Sequence, residues 1–245
     1  MDRMARLLAQ AGAAARRALA PACLLCALEP GDPFCAGCLA DYFPRALARC
    51  RGCASRLPPP AAADTLCGRC LSAPRRFDAA FALADYGFPV DALVGALKFR
   101  ARLDVGRALG AVLAQRYREW AALQPDRAPA ATAVVPMPLA PRRWQERGYN
   151  QAEELARALA ATLGLPLARD ALRRTGERAP QQGLSLSRRR TNVRGVFRAA
   201  PGLREPHALL VDDVLTSGST MEEAAACLKE AGVARVSALV AARTP

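Results

Sequence analysis

Residues 207–220, HALLVDDVLTSGST, are the most informative stretch of the sequence, because an apolar strand runs into two carboxylates, a turn of small residues and the start of a helix. The turn offers hydroxyls, a glycine that permits close approach to the backbone, and N–H groups at a helix N-terminus. This combination predicts a phosphate monoester site, here called the phosphate turn, made of Thr216, Ser217, Gly218, Ser219 and Thr220. Asp212 and Asp213 precede the turn, where they can accept hydrogen bonds from vicinal ribose hydroxyls. The segment therefore predicts a site for a 5-phosphorylated ribose; the alternative interpretation is an N-capped helix after an acidic strand end.

From residue 77 onward the chain alternates between strand-like and helix-like patterns, which is typical of an α/β domain. Strand–helix–strand order with short connections predicts a largely parallel sheet flanked by helices. The patterns predict strands at 77–86, 133–136, 167–174, 207–211 and 235–241, and helices at 90–99, 103–120, 151–163 and 219–230.

Eight of the nine cysteines form four CxxC pairs between residues 23 and 70, while Cys227 stands apart and is expected in the core. A CxxC turn can place two thiolates on one metal, so eight thiolates predict two structural zinc ions, each held by four cysteines. In a sequential arrangement, the first CxxC pair shares a metal with the second and the third with the fourth. In an interleaved arrangement, the first shares a metal with the third and the second with the fourth. The spacing leaves both arrangements open. Zinc is favoured over disulfides, a redox CxxC or an iron–sulfur site, because the CxxC turns repeat regularly in a small Gly/Pro-rich module. The candidate ligands are Cys23, Cys26, Cys35, Cys38, Cys50, Cys53, Cys67 and Cys70.

Composition divides the chain into an amphipathic lead-in helix (1–20), a cysteine module (21–75) and the α/β domain (76–245). Arg16 and Arg17 interrupt the segment that would have to be the apolar part of an export signal. No apolar run reaches the roughly 18 residues of a membrane span. We therefore expect a cytoplasmic protein without an integral membrane segment. The net charge of +13 favours an anionic partner, such as phosphate or nucleic acid.

Further motifs accompany the phosphate turn: Ala96-Leu97-Lys98-Phe99, Val135-Pro136-Met137-Pro138, Arg147-Gly148-Tyr149-Asn150-Gln151-Ala152, Gln182-Gly183-Leu184 and Arg189-x-x-Asn192-Val193-x-Gly195-x-Phe197. The turn resembles the loop of type I phosphoribosyltransferases that binds 5-phosphoribosyl pyrophosphate (PRPP), with Ser217 and Ser219 as small hydroxyl-bearing substitutes at two positions. The full set of motifs, with the double CxxC module, resembles the ComF family.

The resemblance implies a type I phosphoribosyltransferase-like fold behind a double zinc ribbon, with a PRPP or phosphate ligand at the turn. It implies a catalytic role for Asp212 and Asp213 and a pyrophosphate contact for the loop after residue 136. The arginines that it implies for the pyrophosphate are Arg142, Arg143, Arg147 and Arg189, the last in an arginine-rich hood at 177–198. It also implies a role in DNA uptake, competence or DNA utilisation, with single-stranded DNA and the uptake machinery as candidate partners. The alternative is an active Mg²⁺-dependent phosphoribosyltransferase whose acceptor the sequence does not identify.

Overall fold

A computed structural model describes residues 22–45, 47–62, 65–123, 130–175 and 195–245. The predicted lead-in helix and most of the arginine-rich hood, including Arg189, lie outside these residues. The chain forms two compact units, the first ending at Pro44 and the second running from Arg45 to Pro245. The domain boundaries expected near residues 21 and 76 stay a prediction.

The described part of the first unit is a small cysteine-containing fold with one short helix, α1 (Ala36–Tyr42). Backbone hydrogen bonds of 2.8 Å join Cys23 N to Glu29 O and Leu24 N to Pro33 O. The rings of Phe34 and Phe43 pack edge-on, with centroids 5.1 Å apart. So small an apolar core needs a cross-link for stability, and the cysteines of the unit are placed to supply one.

The second unit contains the α/β domain and the short helix α2 (Gly68–Ser72) of the cysteine region. After α2, the elements of the described chain are β1 (Ala79–Asp85), α3 (Val90–Phe99), α4 (Leu103–Ala122), β2 (Ala133–Pro136), α5 (Pro141–Arg147), α6 (Gln151–Leu163), β3 (Leu172–Arg174), β4 (Phe197–Ala199), β5 (His207–Leu215), α7 (Ser219–Glu230) and β6 (Arg235–Arg243). The short helix α5 was not predicted from the sequence, whereas the predicted limits of α3, α6, α7 and β2 match the observed ones.

Strands β1, β6, β5 and β2 form one parallel sheet in that order, which confirms the predicted fold class. Strand β5 continues past its predicted end at Val211, because its ladder with β6 extends to the pair Leu215–Arg243. Asp212 and Asp213 therefore belong to the strand itself. The strand predicted at 167–174 is reduced to β3, which pairs antiparallel with β4, since Leu167 makes only an isolated bridge to Val134.

Helices cover the sheet on both faces. The buried side chains of α7, among them Met221 and Leu228, pack with Leu210 of β5 and Val240 of β6 in one apolar cluster. Helices α4 and α6 pack against each other and contact the strands. Because alternate residues of a strand face opposite sides, Leu209 and its neighbours of the same parity turn toward these two helices. In the part of the chain that the structure describes, no helix combines the length and apolar character needed to cross a membrane.

Gly110 allows α4 and α6 to approach closely. A Cβ at this position would lie 2.4 Å from Leu155 O and 2.9 Å from the Ala158 side chain. The backbone carbonyl cannot move aside as a flexible side chain could, so the helix pair requires glycine here.

Replacing Gly110 with alanine should therefore destabilise the protein by about 1–3 kcal/mol through overpacking. Gly95→Ala in α3 is the matched control, because a Cβ there meets nothing within 4 Å, and alanine should stabilise the helix by about 0.5–1 kcal/mol. Urea unfolding followed by circular dichroism measures both changes. Equal unfolding midpoints for Gly110→Ala and the wild type would contradict the close helix approach.

Candidate functional site

The phosphate turn lies where β5 ends and α7 begins. Gly218 adopts a left-handed φ of +87°, and a Cβ there would lie 3.1 Å from Arg75 Nη1, so the position favours glycine. Gly218 is also the N-cap of α7 and offers no side chain to bond the first amides of the helix. Ser217 Oγ and Ser219 Oγ lie 3.1 Å apart beside these amides. Ser219 N donates to Ser217 Oγ at 3.4 Å. The N-terminus of a helix next to two hydroxyls is a suitable site for an anion.

A cleft of about 220 Å³ joins the phosphate turn to the end of β2. Its lining consists of Met137, Pro138, Leu139, Gln151, Arg174 and every residue from Asp212 to Met221. The structure thus brings together the two predicted aspartates, the five turn residues and the loop after Pro136. The cleft lies at the carboxyl ends of parallel strands, which is the usual position of a ligand site in such sheets.

The two aspartates of this cleft differ in their surroundings. Burial and the neighbouring charge of Asp213 raise the pKa of Asp212 to about 8, although the positive charge of Lys98 opposes this rise. Lys98 Nζ lies 3.1 Å from Asp213 Oδ2 and forms an ion pair with it. The same buried oxygen receives no hydrogen bond of good geometry from the described residues. Asp213 can therefore still accept a hydrogen bond from a ligand hydroxyl or coordinate a cation.

Two side chains of the Arg147–Ala152 motif hold the loop after β2 and the end of α3, respectively. Asn150 Nδ2 donates to Met137 O at 3.0 Å, and its Oδ1 accepts from Ala152 N at 3.1 Å as the N-cap of α6. The Tyr149 hydroxyl donates to Leu97 O, the residue before Lys98. The motif therefore links the loop on one side of the cleft to the end of α3 that carries Lys98.

Three of the predicted pyrophosphate arginines are on α5 and do not line the cleft. Exposed Arg142 and Arg143 approach Glu146, with N–O distances of 3.0 and 3.9 Å. Arg147 Nη1 donates to Gln151 Oε1 at 2.9 Å, and Gln151 does line the cleft. Their contact with pyrophosphate stays a prediction, as does that of Arg189, which lies outside the described residues.

Sequence reasoning missed two cations of the site. Arg174, the last residue of β3, lines the cleft, and its guanidinium carbon lies 5.8 Å from the Phe197 ring centroid. Lys98 faces Asp213, although the motif that contains it carried no assigned role. The sequence signal that could have identified Lys98 is the rarity of lysine, because the chain has only one other lysine, Lys229. The single histidine, His207, lies at the opposite end of β5, where its Nε2 is 2.8 Å from Ser237 Oγ.

The eight paired cysteines form two separate groups of four in sequence order. In each group the four sulfurs lie within 4.8 Å of one another. Four sulfurs at about 2.3 Å from one tetrahedral zinc ion would be about 3.8 Å apart. The Cys26–Cys35 and Cys53–Cys67 sulfur distances are 3.8 and 3.6 Å, so each group fits one metal ion. The first cluster is Cys23, Cys26, Cys35 and Cys38, and the second cluster is Cys50, Cys53, Cys67 and Cys70.

Hydrogen bonds to sulfur support thiolates in both clusters. Backbone N–H groups donate from Cys35 to Cys23 Sγ at 3.4 Å and from Cys67 to Cys50 Sγ at 3.2 Å. Burial raises the pKa of Cys53, but hydrogen bonds from the Ser55 hydroxyl and amide outweigh it and lower this pKa to about 6. Burial together with the charges of Cys53 and Cys50 raises the pKa of Cys70 in the same cluster. Four thiols with such opposed pKa values lose their protons together only when a cation compensates the charge.

Comparison with known proteins agrees with this geometry. A family model described as a phosphoribosyl transferase domain matches residues 145–245, which include the phosphate turn and both aspartates. The fold and the site thus define a protein with a phosphoribosyltransferase-like domain that follows two four-cysteine clusters in the sequence.

Sequence similarity to named relatives identifies the family of this chain. The DNA utilization protein YhgH of Salmonella typhimurium is 36% identical over 190 residues, covering 76% of this chain and 81% of that protein. The protein of the same name from Escherichia coli K12 is 35% identical over 182 residues, covering 73% and 78%. Competence protein F of Haemophilus influenzae is 32% identical over 173 residues, covering 69% and 75%. The chain belongs to the ComF family.

A solved structure of the PRPP amidotransferase from B. subtilis is 21% identical, with a TM-score of 0.36 over 55% of this chain and 25% of that one. At this TM-score the likeness adds nothing to the assignment.

Lys98→Met should raise the pKa of Asp212 above its value of about 8, because the substitution removes the positive charge that lowers it. Lys229→Met is the matched control, since Lys229 pairs with Asp78 at 2.9 Å on the surface. Carbon-13 NMR titration of the aspartate carboxyl carbons measures the midpoints. A wild-type Asp212 midpoint near the ordinary value of about 4 would contradict the environment described for this pair.

Proposed function

We propose that the chain binds a 5-phosphorylated ribose, with PRPP and Mg²⁺ as the ligand, and acts in DNA uptake or utilisation in the cytoplasm. One observation carries the ligand assignment: the phosphate turn, the aspartate pair and the loop after β2 line a single cleft. An isolated helix N-terminus would accept many anions, whereas a carboxylate pair beside it adds acceptors for the two hydroxyls of a ribose.

In this proposal each part of the cleft contacts a different part of the ligand. The 5-phosphate accepts hydrogen bonds from the amides and hydroxyls of the phosphate turn, and the ribose hydroxyls donate to Asp212 and Asp213. Pyrophosphate lies toward the Met137–Leu139 loop, and Arg174 of the cleft lining supplies positive charge. Carboxylate oxygens of the aspartates would hold Mg²⁺, which supplies charge neutralisation of the phosphates when bound.

The two clusters hold structural zinc in this proposal. All-cysteine ligand sets leave no open position on a tetrahedral ion, which suits a structural and not a catalytic metal. The sulfur spacings and the amide hydrogen bonds to sulfur support zinc at both clusters. Two zinc ions per chain, measured by native mass spectrometry, is the expected content.

The role in DNA metabolism rests on the relatives named DNA utilization protein and Competence protein F. The net charge of +13 supports an anionic polymer as partner. Single-stranded DNA is the candidate partner, because its phosphates are the anions that a positively charged surface attracts. Contact with the uptake machinery is part of the same proposal.

An active phosphoribosyltransferase is the second candidate function, and the intact aspartate pair favours it. Asp212 with a pKa of about 8 holds its proton near neutral pH until a ligand or cation compensates the charge. Arg174 and Lys98 would then stabilise negative charge on departing pyrophosphate and on the aspartates, respectively.

Calorimetric titration with Mg²⁺ and PRPP tests the ligand assignment. Asp212→Asn with Asp213→Asn should weaken binding at least tenfold, because both charged acceptors are lost. Asp170→Asn, an exposed aspartate paired with Arg173, is the matched control. Because binding displaces the proton of Asp212, the measured heat below pH 8 should depend on the ionisation enthalpy of the buffer. Unchanged affinity in the double variant would refute the assignment of the cleft.

A second pair of measurements separates the two functions. Mg²⁺-dependent release of pyrophosphate from PRPP with a panel of nucleobases would establish turnover. Binding of labelled single-stranded DNA that falls steeply with salt, as phosphate contacts require, would establish the nucleic-acid role. We expect the salt-dependent binding; turnover without any DNA binding would overturn the DNA role in favour of the enzyme.

A further inference from the structure

Arg75 connects the end of the cysteine region to the phosphate turn. Its side chain is 4% exposed, and Nη1 donates to Ser217 O at 3.1 Å and to Glu222 Oε1 at 2.6 Å. Ser217 belongs to the turn, and Glu222 lies in the first turn of α7. On its other side, the guanidinium interacts with the side chain of Cys70.

Arg243 makes the same connection from the other end of the turn. It is 3% exposed and is the last residue of β6. Its Nε donates to Cys53 O and its Nη2 to Ser55 Oγ, both at 2.9 Å, while Nη1 donates to Leu215 O at 3.1 Å. Ser55 Oγ in turn lies 3.2 Å from Cys53 Sγ. Arg243 therefore contacts the second cluster on one side and the residue before the phosphate turn on the other.

The two arginines thus hold the carbonyls of Leu215 and Ser217, on either side of Thr216. Gly218 leaves little spare room, because even a Cβ there would lie 3.1 Å from Arg75 Nη1. The geometry points to Arg75 and Arg243 as positioning residues between the second cluster and the phosphate turn. Through them, a metal ion in the second cluster sets the conformation of the phosphate turn. That conformation in turn sets the affinity of the turn for a phosphate ligand. The effect on ligand affinity rests on the proposed function, whereas the effect on the conformation of the phosphate turn, which is the conformational part of the inference, does not.

Electrostatics explains why this connection depends on the metal. A buried guanidinium is stable only beside fixed acceptors, and the second cluster supplies them as a sulfur, a carbonyl and a hydroxyl. These acceptors belong to the cysteine loop, whose folding is coupled to metal binding. Without the ion the loop loses its cross-link, and both arginines lose the partners that fix them against Leu215 and Ser217. The coupling is reciprocal, so a ligand at the turn also stabilises the metal-bound cluster.

Hydrogen–deuterium exchange tests the conformational part without any ligand. Arg75→Lys keeps the positive charge, but its ammonium group cannot contact both the phosphate turn and Cys70. Cys67→Ser removes one ligand of the second cluster. Each should speed exchange of the Glu222 amide, which donates to Gly218 O of the phosphate turn at 2.8 Å, about tenfold or more, the usual effect of losing a charge-assisted hydrogen bond. Arg243→Lys should act in the same direction, which guards against a folding defect peculiar to one variant.

Two matched controls distinguish this coupling from general destabilisation. Arg49→Lys alters another buried arginine of the same cysteine loop, whose Nη1 donates to Ala54 O at 2.9 Å and pairs with Asp85. Cys26→Ser removes a ligand of the first cluster, in the other unit. Neither should change exchange of the Glu222 amide. Unchanged exchange in both Arg75→Lys and Cys67→Ser, or equal acceleration in the controls, would overturn the inference.

Cadmium-113 NMR of the fully cadmium-substituted chain tests reciprocity. Two resonances are expected, and the one lost in Cys67→Ser belongs to the second cluster. Saturating Mg²⁺ and PRPP should shift that resonance in the wild type but not in Arg75→Lys, whose PRPP affinity should be about tenfold weaker. If calorimetry shows that the wild type binds no PRPP, the proposed function fails while the exchange experiment still decides the inference. PRPP binding with an unshifted second-cluster resonance would contradict the coupling.

Discussion

Two carboxylates side by side at the end of a buried strand repel each other, and the architecture of the site depends on how that repulsion is compensated. Lys98 compensates part of it, because its ammonium lies 3.1 Å from Asp213. The rest is relieved by a proton, since the pKa of Asp212 is raised to about 8 by burial and by Asp213. Such a pair is incomplete without a ligand. Hydroxyl donors or a cation bound in the cleft would compensate the negative charge that the protein's own groups leave uncompensated.

The surrounding structure keeps these groups in place. Lys98 is carried by α3, whose end is fixed by the Tyr149 hydroxyl, and the opposite wall is fixed by Asn150. Strand β5 is paired with β2 and β6 up to Val211 and with β6 alone from Asp212 to Leu215, so one ladder fixes the backbone of the aspartates. A polar site on rigid elements loses little entropy when its ligand binds. The phosphate turn follows the last ladder pair of β5, and there the two buried arginines provide the support.

The sequence predicted the parts of this structure that depend on local pattern. Strand β2 and helices α3, α6 and α7 follow from periodicity and capping, and the phosphate turn follows from the order of strand, acid pair and small residues. The limits of β5 could not be predicted, because the ladder to Arg243 continues through a polar stretch that resembles a strand end. Arg75 and Arg174 could not be recognised among the many arginines, since an arginine acquires its role from partners distant in sequence. Arg75 and Glu222, for example, are 147 residues apart.

The two clusters have the same ligand set but different structural settings. The loop of the second cluster is part of the α/β domain, since Ala54 is buried in the apolar cluster beneath α7 and Ala80 N of β1 donates to Arg51 O at 3.0 Å. The first cluster lies in a separate unit, and among the residues described there the buried apolar side chains besides the cysteines are Phe34 and Phe43. A metal in the first cluster would therefore stabilise the folding of that unit. A metal in the second cluster is bound within the core that carries the cleft, so cross-linking this loop also restricts the buried arginines that reach the phosphate turn.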